Sequence, residues 1–286
     1  MPDSSLAAAV RAAAQRLADA GVPDPLVDAE LLAGHVLDRR RGEVQAAIVR
    51  GDAVDEAQQH ALEALVARRE AREPLQHITG TAPFRHLELA VGPGVFVPRP
   101  ETETVVQFAI DALLNSGEPA PIGVDLGTGS GAIALAMATE VPHARVFAAE
   151  LSDDAHAWAQ RNVAGVENLT LVLSDLADAF PELDGSASVV ISNPPYVPDA
   201  AVPRDPEVRL FDPALALYGG ADGLDVVRVL SSRALRLLRP GGVLVIEHGE
   251  LQGAAIRELL TADGWRAAAT HRDLTLRDRA TTAIRP

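Results

Sequence analysis

The stretch Ile122-Gly123-Val124-Asp125-Leu126-Gly127-Thr128-Gly129-Ser130-Gly131 decides the fold. Residues 122–126 read as a short buried strand and Ala132 to Ala138 as a helix, so the glycines sit at a strand-to-helix turn. Glycines there let a ligand approach the backbone closely. A nicotinamide or flavin fingerprint would be Gly-x-Gly-x-x-Gly. Here the third glycine comes early, at 131, and position 132 is Ala. Asp125 stands two residues before the first of them. An acid at that place disfavours a pyrophosphate and favours a cationic or amine-bearing ligand.

Downstream, strand and helix patterns alternate. Strands are expected at Arg145 to Ala149, Leu169 to Leu173, Ala187 to Ile191 and Val243 to Ile246. Helices are expected at Asp153 to Val163, Val226 to Leu238 and Ala254 to Leu260, with Pro240-Gly241-Gly242 as a turn. Such alternation predicts an open, mostly parallel sheet covered by helices on both faces. Ligands in such sheets bind beyond the C-terminal strand ends. Two further acids fall there. Glu150 ends the second strand, placed for bidentate acceptance from two ribose hydroxyls, and Asp175 follows the third, where it could accept an exocyclic adenine amine. Three acids at three successive strand ends describe a pocket for S-adenosylmethionine.

The next strand runs Val189-Val190-Ile191-Ser192 into Asn193-Pro194-Pro195-Tyr196. Two prolines supply no N–H groups and stop the ladder at once. Residues before proline are pushed to extended geometry, which makes the tetrapeptide a stiff lip. It carries one amide side chain, an outward carbonyl and one ring. Two acceptors and a ring suit a planar NH2 group. The plain alternative is a strand-ending turn with a core tyrosine.

Upstream, residues 4 to 73 show helical patterns. Leu6, Val10, Ala13 and Leu17 share a face, Asp24-Pro25 opens a second helix through Leu37, and Asp52 or Asp55 starts a third. The region has no titratable cluster, so it reads as a binding module for a protein or as a packing cap. Leu87, Leu89 and Val91 alternate in a strand before the turn Gly92-Pro93-Gly94. The boundaries expected are a helical bundle at 1–75, a β-hairpin linker at 76–100 and a sheet domain at 101–286. Phe96 ends the hairpin itself, and Pro100-Glu101-Thr102-Glu103 is a helix start with acids in the first turn.

Composition excludes several chemistries. Cys is absent, which removes disulfides, thiolate metal sites and a Cys nucleophile. All 25 basic residues are Arg, which removes a Walker lysine and a Schiff base. A net charge of −15 argues against a nucleic acid gripped through its phosphates. No apolar run reaches the ~20 residues of a membrane span. Met1 to Ser5 lacks the basic-then-apolar order of a signal peptide, so a cytoplasmic protein is expected.

Asp-Leu-Gly-Thr-Gly-Ser-Gly together with Asn-Pro-Pro-Tyr resembles a class I S-adenosylmethionine-dependent methyltransferase acting on an amide or amino nitrogen. With Phe-Val-Pro-Arg-Pro-Glu-Thr-Glu at 96–103 and the N-terminal helices, the chain is similar to the HemK/PrmC family of protein-glutamine N5-methyltransferases. The resemblance spans nearly the whole chain, including Glu207-Val208 and Ala214 to Leu217. It implies an α/β fold, a Rossmann-like class I methyltransferase sheet with a small N-terminal helical bundle and a linking β-hairpin. It also implies that Gly127, Thr128, Gly129, Ser130 and Gly131 line the methionine part of the cofactor, with Asp125 beside them. Glu150 would then take the ribose and Asp175 with Leu176 the adenine. Asn193, Pro194, Pro195 and Tyr196 would hold the glutamine of a Gly-Gly-Gln loop in a peptide-chain release factor, and Phe96 would close the pocket. The implied product is S-adenosylhomocysteine, with no metal, no membrane and no direct nucleic-acid substrate, in a monomer. Glu150 replaces the more usual Asp and Asp212-Pro213 the more usual Glu-Pro. Competing readings are an adenine-N6 or other nucleic-acid amino-group methyltransferase, a ribosomal-protein glutamine methyltransferase, a cofactor-binding module without turnover, and a dinucleotide oxidoreductase.

Overall fold

The computed structural model describes residues 5–286. Four of the five residues on which the leader reading rests lie outside that range. The chain divides into two units, one reaching to Thr81 and including Pro203–Phe211, the other comprising Ala82–Val202 and Asp212–Pro286.

In the first unit, helix α1 (Leu6–Asp19) starts at Ser5, whose Oγ accepts from Ala8 N at 3.2 Å. It buries the expected stripe of Leu6, Val10, Ala13 and Leu17. Helix α2 (Pro25–Leu37) has proline in its first turn, and α4 (Glu56–Glu70) opens with a reciprocal Asp55–Gln58 capping box. Two helices of this N-terminal stretch were not expected. Helix α3 (Arg41–Arg50) buries only Val44 and Ala47, too narrow a stripe to read as periodic, and α5 (Leu75–Thr79) is a single turn. It occupies residues expected to belong to the hairpin linker.

The hairpin is β1 (Thr81–Phe84) paired with β2 (Leu87–Ala90). Helix α6 (Pro100–Leu114) follows. Then come β3 (Ile122–Leu126), α7 (Ala132–Glu140), β4 (Arg145–Glu150), α8 (Asp153–Asn162), β5 (Leu169–Leu173) and β6 (Ala187–Ser192). After the lip, α9 (Pro206–Phe211) lies in the first unit. The second unit resumes with α10 (Ala214–Leu217), α11 (Asp225–Leu237), β7 (Leu238–Glu247), α12 (Gly253–Ala262), β8 (Arg266–Arg272) and β9 (Asp278–Ile284).

These strands form one sheet in the order β5-β4-β3-β6-β7-β9-β8. Pairings up to β7 are parallel, and the β7–β9 and β9–β8 pairings are antiparallel. Both faces are covered. Val146, Ala148, Val189 and Ile191 pack under α6 and α7, while Val124, Leu126, Ala149 and Val190 pack under α11 and α12. All six residues of β6 are buried, as a central parallel strand requires. Strands β8 and β9 were not expected. Arg266–Arg272 is largely exposed at the sheet's edge and shows no clean alternation. Strand β7 begins five residues before the predicted one, because a register shift between Ala187 and Val189 lets it absorb the Pro240-Gly241-Gly242 turn. Among the described residues no helix is long and apolar enough to cross a membrane.

Candidate active site

The strand order reverses at β3, which feeds β4 on one side and has β6 on the other. An open parallel sheet forms its ligand crevice beyond the carboxyl ends at such a switch point. The glycine turn leaves β3 there, and the Asn-Pro-Pro-Tyr lip leaves β6 beside it. Ser192 Oγ ties the two strand ends by donating to Leu126 O at 2.5 Å.

The turn is held from behind. Gly127 N and Thr128 N both donate to Ala149 O, at 2.9 and 3.0 Å. Gly127, Gly129 and Gly131 all have positive φ (78°, 58° and 85°), a conformation that β-carbon-bearing residues rarely adopt. A Cβ added at Gly127 or Gly129 would meet no described atom within 4 Å, so this side of the turn faces open space. Asn162 links the turn to the hairpin. Its Nδ2 donates to Ser130 O and to Ala90 O, and its Oδ1 accepts from Ala90 N.

Asp125 lies elsewhere than the ligand reading placed it. It is fully buried, its Oδ2 accepting from Thr128 Oγ1 at 2.5 Å and from Ala134 N at 3.2 Å. It braces the turn against the first turn of α7. Burial pushes its carboxyl up to about 7, against those two hydrogen bonds and helped by the nearby Glu150. Its Oδ1 has no hydrogen-bond partner among the described residues.

Glu150 also serves the backbone. Oε2 accepts from Gly129 N at 2.8 Å, and Oε1 from Leu151 N and Ser152 N at 2.9 and 2.8 Å. A carboxylate offers about four lone-pair positions, so roughly one is left for a ligand. The carboxylate can therefore take one ribose hydroxyl directly, and a second only by releasing a backbone donor. Asp175 is exposed just beyond β5 and accepts from Ala177 N at 2.9 Å, while Leu176 packs on the core under α11. An open glycine turn, one spare acceptor at the next strand end and an exposed carboxylate at the third fit an adenosyl ligand.

The lip is braced by residues that the sequence reading missed. Gln252 Nε2 donates to Tyr196 O at 2.9 Å, and Val197 N to Leu217 O at 2.8 Å. Gly219 and Gly223 press on the same backbone. A Cβ at Gly219 would stand 2.4 Å from Pro195 O, and one at Gly223 2.2 Å from Tyr196 O. The cluster Gly219-Gly220-Ala221-Asp222-Gly223 was the available signal, since grouped glycines mark close backbone approach. The Tyr196 hydroxyl is held neutral, pushed up to about 12 by burial and by the charge of Glu247.

The Phe96–Glu103 stretch sits against this lip. Arg99 and Glu101 both act electrostatically on Tyr196. Arg99 donates to the buried Asp212 at 2.6 Å, and its guanidinium lies 4.8 Å from the Phe96 ring centroid. Phe96 is half-buried. Glu103 turns away to accept from Arg85 N at 3.0 Å.

A glycine turn and an Asn-Pro-Pro-Tyr lip at the switch point of this sheet define a class I methyltransferase. A model of the PrmC N-terminal domain matches residues 8–80, and one of the methyltransferase small domain matches residues 87–219. A release factor glutamine methyltransferase of Streptomyces coelicolor is 54% identical over 280 residues, covering 97% of each chain. The chain belongs to the release factor glutamine methyltransferase family. A 4-amino-L-phenylalanine/4-methylamino-L-phenylalanine methyltransferase of Streptomyces pristinaespiralis is 44% identical over 223 residues, 77% of this chain and 76% of its own. In fold, the chain is similar to a methyltransferase from Pyrococcus furiosus, with TM-score 0.51 and 18% identity over 78% of this chain and 96% of that one.

Proposed function

We propose that this enzyme methylates the side-chain amide nitrogen, N5, of the glutamine in the Gly-Gly-Gln motif of peptide-chain release factors. The observation that carries this is the Asn193–Tyr196 lip at the switch point, next to the open glycine turn. S-adenosylmethionine, when bound, supplies an electrophilic methyl group on a sulfonium. Glycines 127 and 129 leave room for its methionine part, Glu150 offers an acceptor to the ribose, and Asp175 offers one to the adenine amine.

An amide nitrogen is a poor nucleophile, because its lone pair is delocalised into the carbonyl. Asn193 Oδ1 and the Pro194 carbonyl accept its two hydrogens. That fixes the nitrogen and stabilises the positive charge it gains during transfer. Tyr196 packs on the amide plane and Phe96 closes the pocket. The lip's two prolines keep both acceptors aimed before the substrate arrives.

The relative acting on an aromatic amino acid makes a free arylamine a second candidate substrate. The helical unit matched by the PrmC N-terminal model favours a protein instead. Incubation with labelled S-adenosylmethionine and each candidate substrate decides the matter. Mass spectrometry should place one methyl group on the glutamine of Gly-Gly-Gln. A methyl group found only on ribosomal protein, adenine or a free arylamine would overturn the assignment.

A further inference from the structure

Glu247 enters the site above only through its charge on Tyr196, and its placement calls for a further part. It is the last residue of β7 and 1% exposed. Ser192 on β6 pairs with Ile246 on β7, so Asn193 and Glu247 are the next two residues of adjacent strands. Adjacent strands run about 4.8 Å apart. Residues in parallel register share a face, and these two fall on the face of Ile191 and Val245, which is covered by α6. The first turn of α6 supplies Thr102 and Glu101 there, and β9 supplies Arg279. The Thr102 hydroxyl, Arg279 and the Asn193 amide all favour the charged carboxylate, while Glu101 opposes it. Even so, Glu247 Oε2 and Thr102 Oγ1 have no hydrogen-bond partner among the described residues, and Arg279 Nε faces Asp273 Oδ2 at 3.5 Å.

We infer that Glu247 is a positioning residue, which holds the NH2 end of the Asn193 amide and so turns Oδ1 to the substrate. The inference rests on the function proposed above. An asparagine side chain can present either end, and its environment chooses between them. An ionised carboxylate only accepts, so the end facing Glu247 is the NH2. The free end is then the acceptor that a substrate NH2 needs. The buried negative charge also polarises the Asn193 amide, which strengthens Oδ1 as an acceptor. Protonated, the carboxyl can donate as well, and Asn193 is no longer held one way. Burial pushes Glu247 up to about 7, so this change falls within the working range of pH.

The test is the pH profile of release factor methylation by the full chain and by Glu247→Gln and Glu247→Ala. At pH 8 the order of kcat should be wild type, then Gln, then Ala. Glutamine keeps an acceptor but no charge, and should cost roughly tenfold, the scale of one charge-assisted contact. Cofactor affinity should stay within about twofold, because no cofactor contact is lost. Wild-type kcat should fall toward acid pH, and the Gln profile should be flat. Equal kcat for wild type and Gln at both ends of the range would overturn the inference. So would a loss of cofactor affinity matching the loss of kcat. If the Gln variant does not fold, the wild-type profile alone decides, and a flat one from pH 5 to 9 overturns it. A wild type inactive on every release factor would instead defeat the underlying function.

Discussion

In the function proposed above, the Asn193 side chain supplies one of the two acceptors. Asn193→Ala removes one acceptor while Pro194 and Pro195 hold the lip in place. Turnover should fall at least ~100-fold with cofactor affinity almost unchanged, the size seen for a single transition-state contact. Asn193→Asp keeps an acceptor and adds negative charge beside a nitrogen becoming positive, so it should retain more activity than Ala. Single-turnover rates and calorimetry separate the two effects. Asp125 makes a different prediction. Its carboxyl ordinarily titrates near 3.8 and is raised to about 7 in the folded chain. The native state therefore holds this proton more tightly than the unfolded chain does. The stabilisation is complete below about 3.8 and is lost as pH rises through about 7. Asp125→Asn should remove that slope, with a melting temperature relative to wild type higher at pH 8 than at pH 4.5. A constant difference across that range would show that Asp125 ionises freely in the native protein.

Among the elements, the connection from α10 to α11 packs against the lip and braces it. Gly219 and Gly223 let this segment lie directly on the carbonyls of Pro195 and Tyr196. Gly223 also has φ of 75°, so an added Cβ is both strained and in collision. Gly223→Ala should push the lip outward, destabilising the protein by about 1–3 kcal/mol. Catalysis should fall further than stability alone explains, while cofactor affinity holds. Denaturant midpoints alongside kcat measure both. Unchanged kcat in a destabilised protein would mean that the lip tolerates displacement.

Across the whole molecule, the chain leaves the methyltransferase unit after the lip and contributes Pro203–Phe211 to the helical unit. The join is ionic. Glu207 accepts from Arg69 Nη1 at 2.8 Å and from Arg72 Nε and Nη2 at 2.9 and 2.7 Å, and Arg69 Nε donates to Asp28 at 2.7 Å. These side chains are only 7–15% exposed. Removing one partner of a buried charge cluster costs about 3–5 kcal/mol, because the remaining charges lose compensation. Glu207 is itself held below the usual carboxylate range, against its burial, by Arg72 and Arg69. Glu207→Ala should therefore loosen the helical unit, with faster amide exchange in α2 and α4 and little change in β3 to β6. Uniform exchange across the chain would show that the cluster is dispensable.

Apart from the short α9 and α10, the sequence alone determined the order of strands and helices from 122 to 260 and the character of the two turns. Those features are local. Glycines and prolines act on their own backbone, and apolar periodicity records which side of an element is buried. The same locality hid α3, whose buried stripe is two residues wide, β8, whose edge position leaves no alternation to read, and β9, which is buried between β7 and β8 without alternating. Tertiary structure decided what each acid does. Asp125 could be read as a ligand contact until the fold buried it against Thr128 and Ala134. Glu150 could be read as wholly free for the ribose until the turn and its own following residues took three of its lone pairs. Glu247 sits 54 positions after Asn193 in the sequence, and only the pairing of β6 with β7 makes them neighbours. Glu207 was visible as part of a motif, but its partners Arg69 and Arg72 come 138 and 135 positions earlier. A side chain's partners are set by which elements pack together, and no local pattern encodes that.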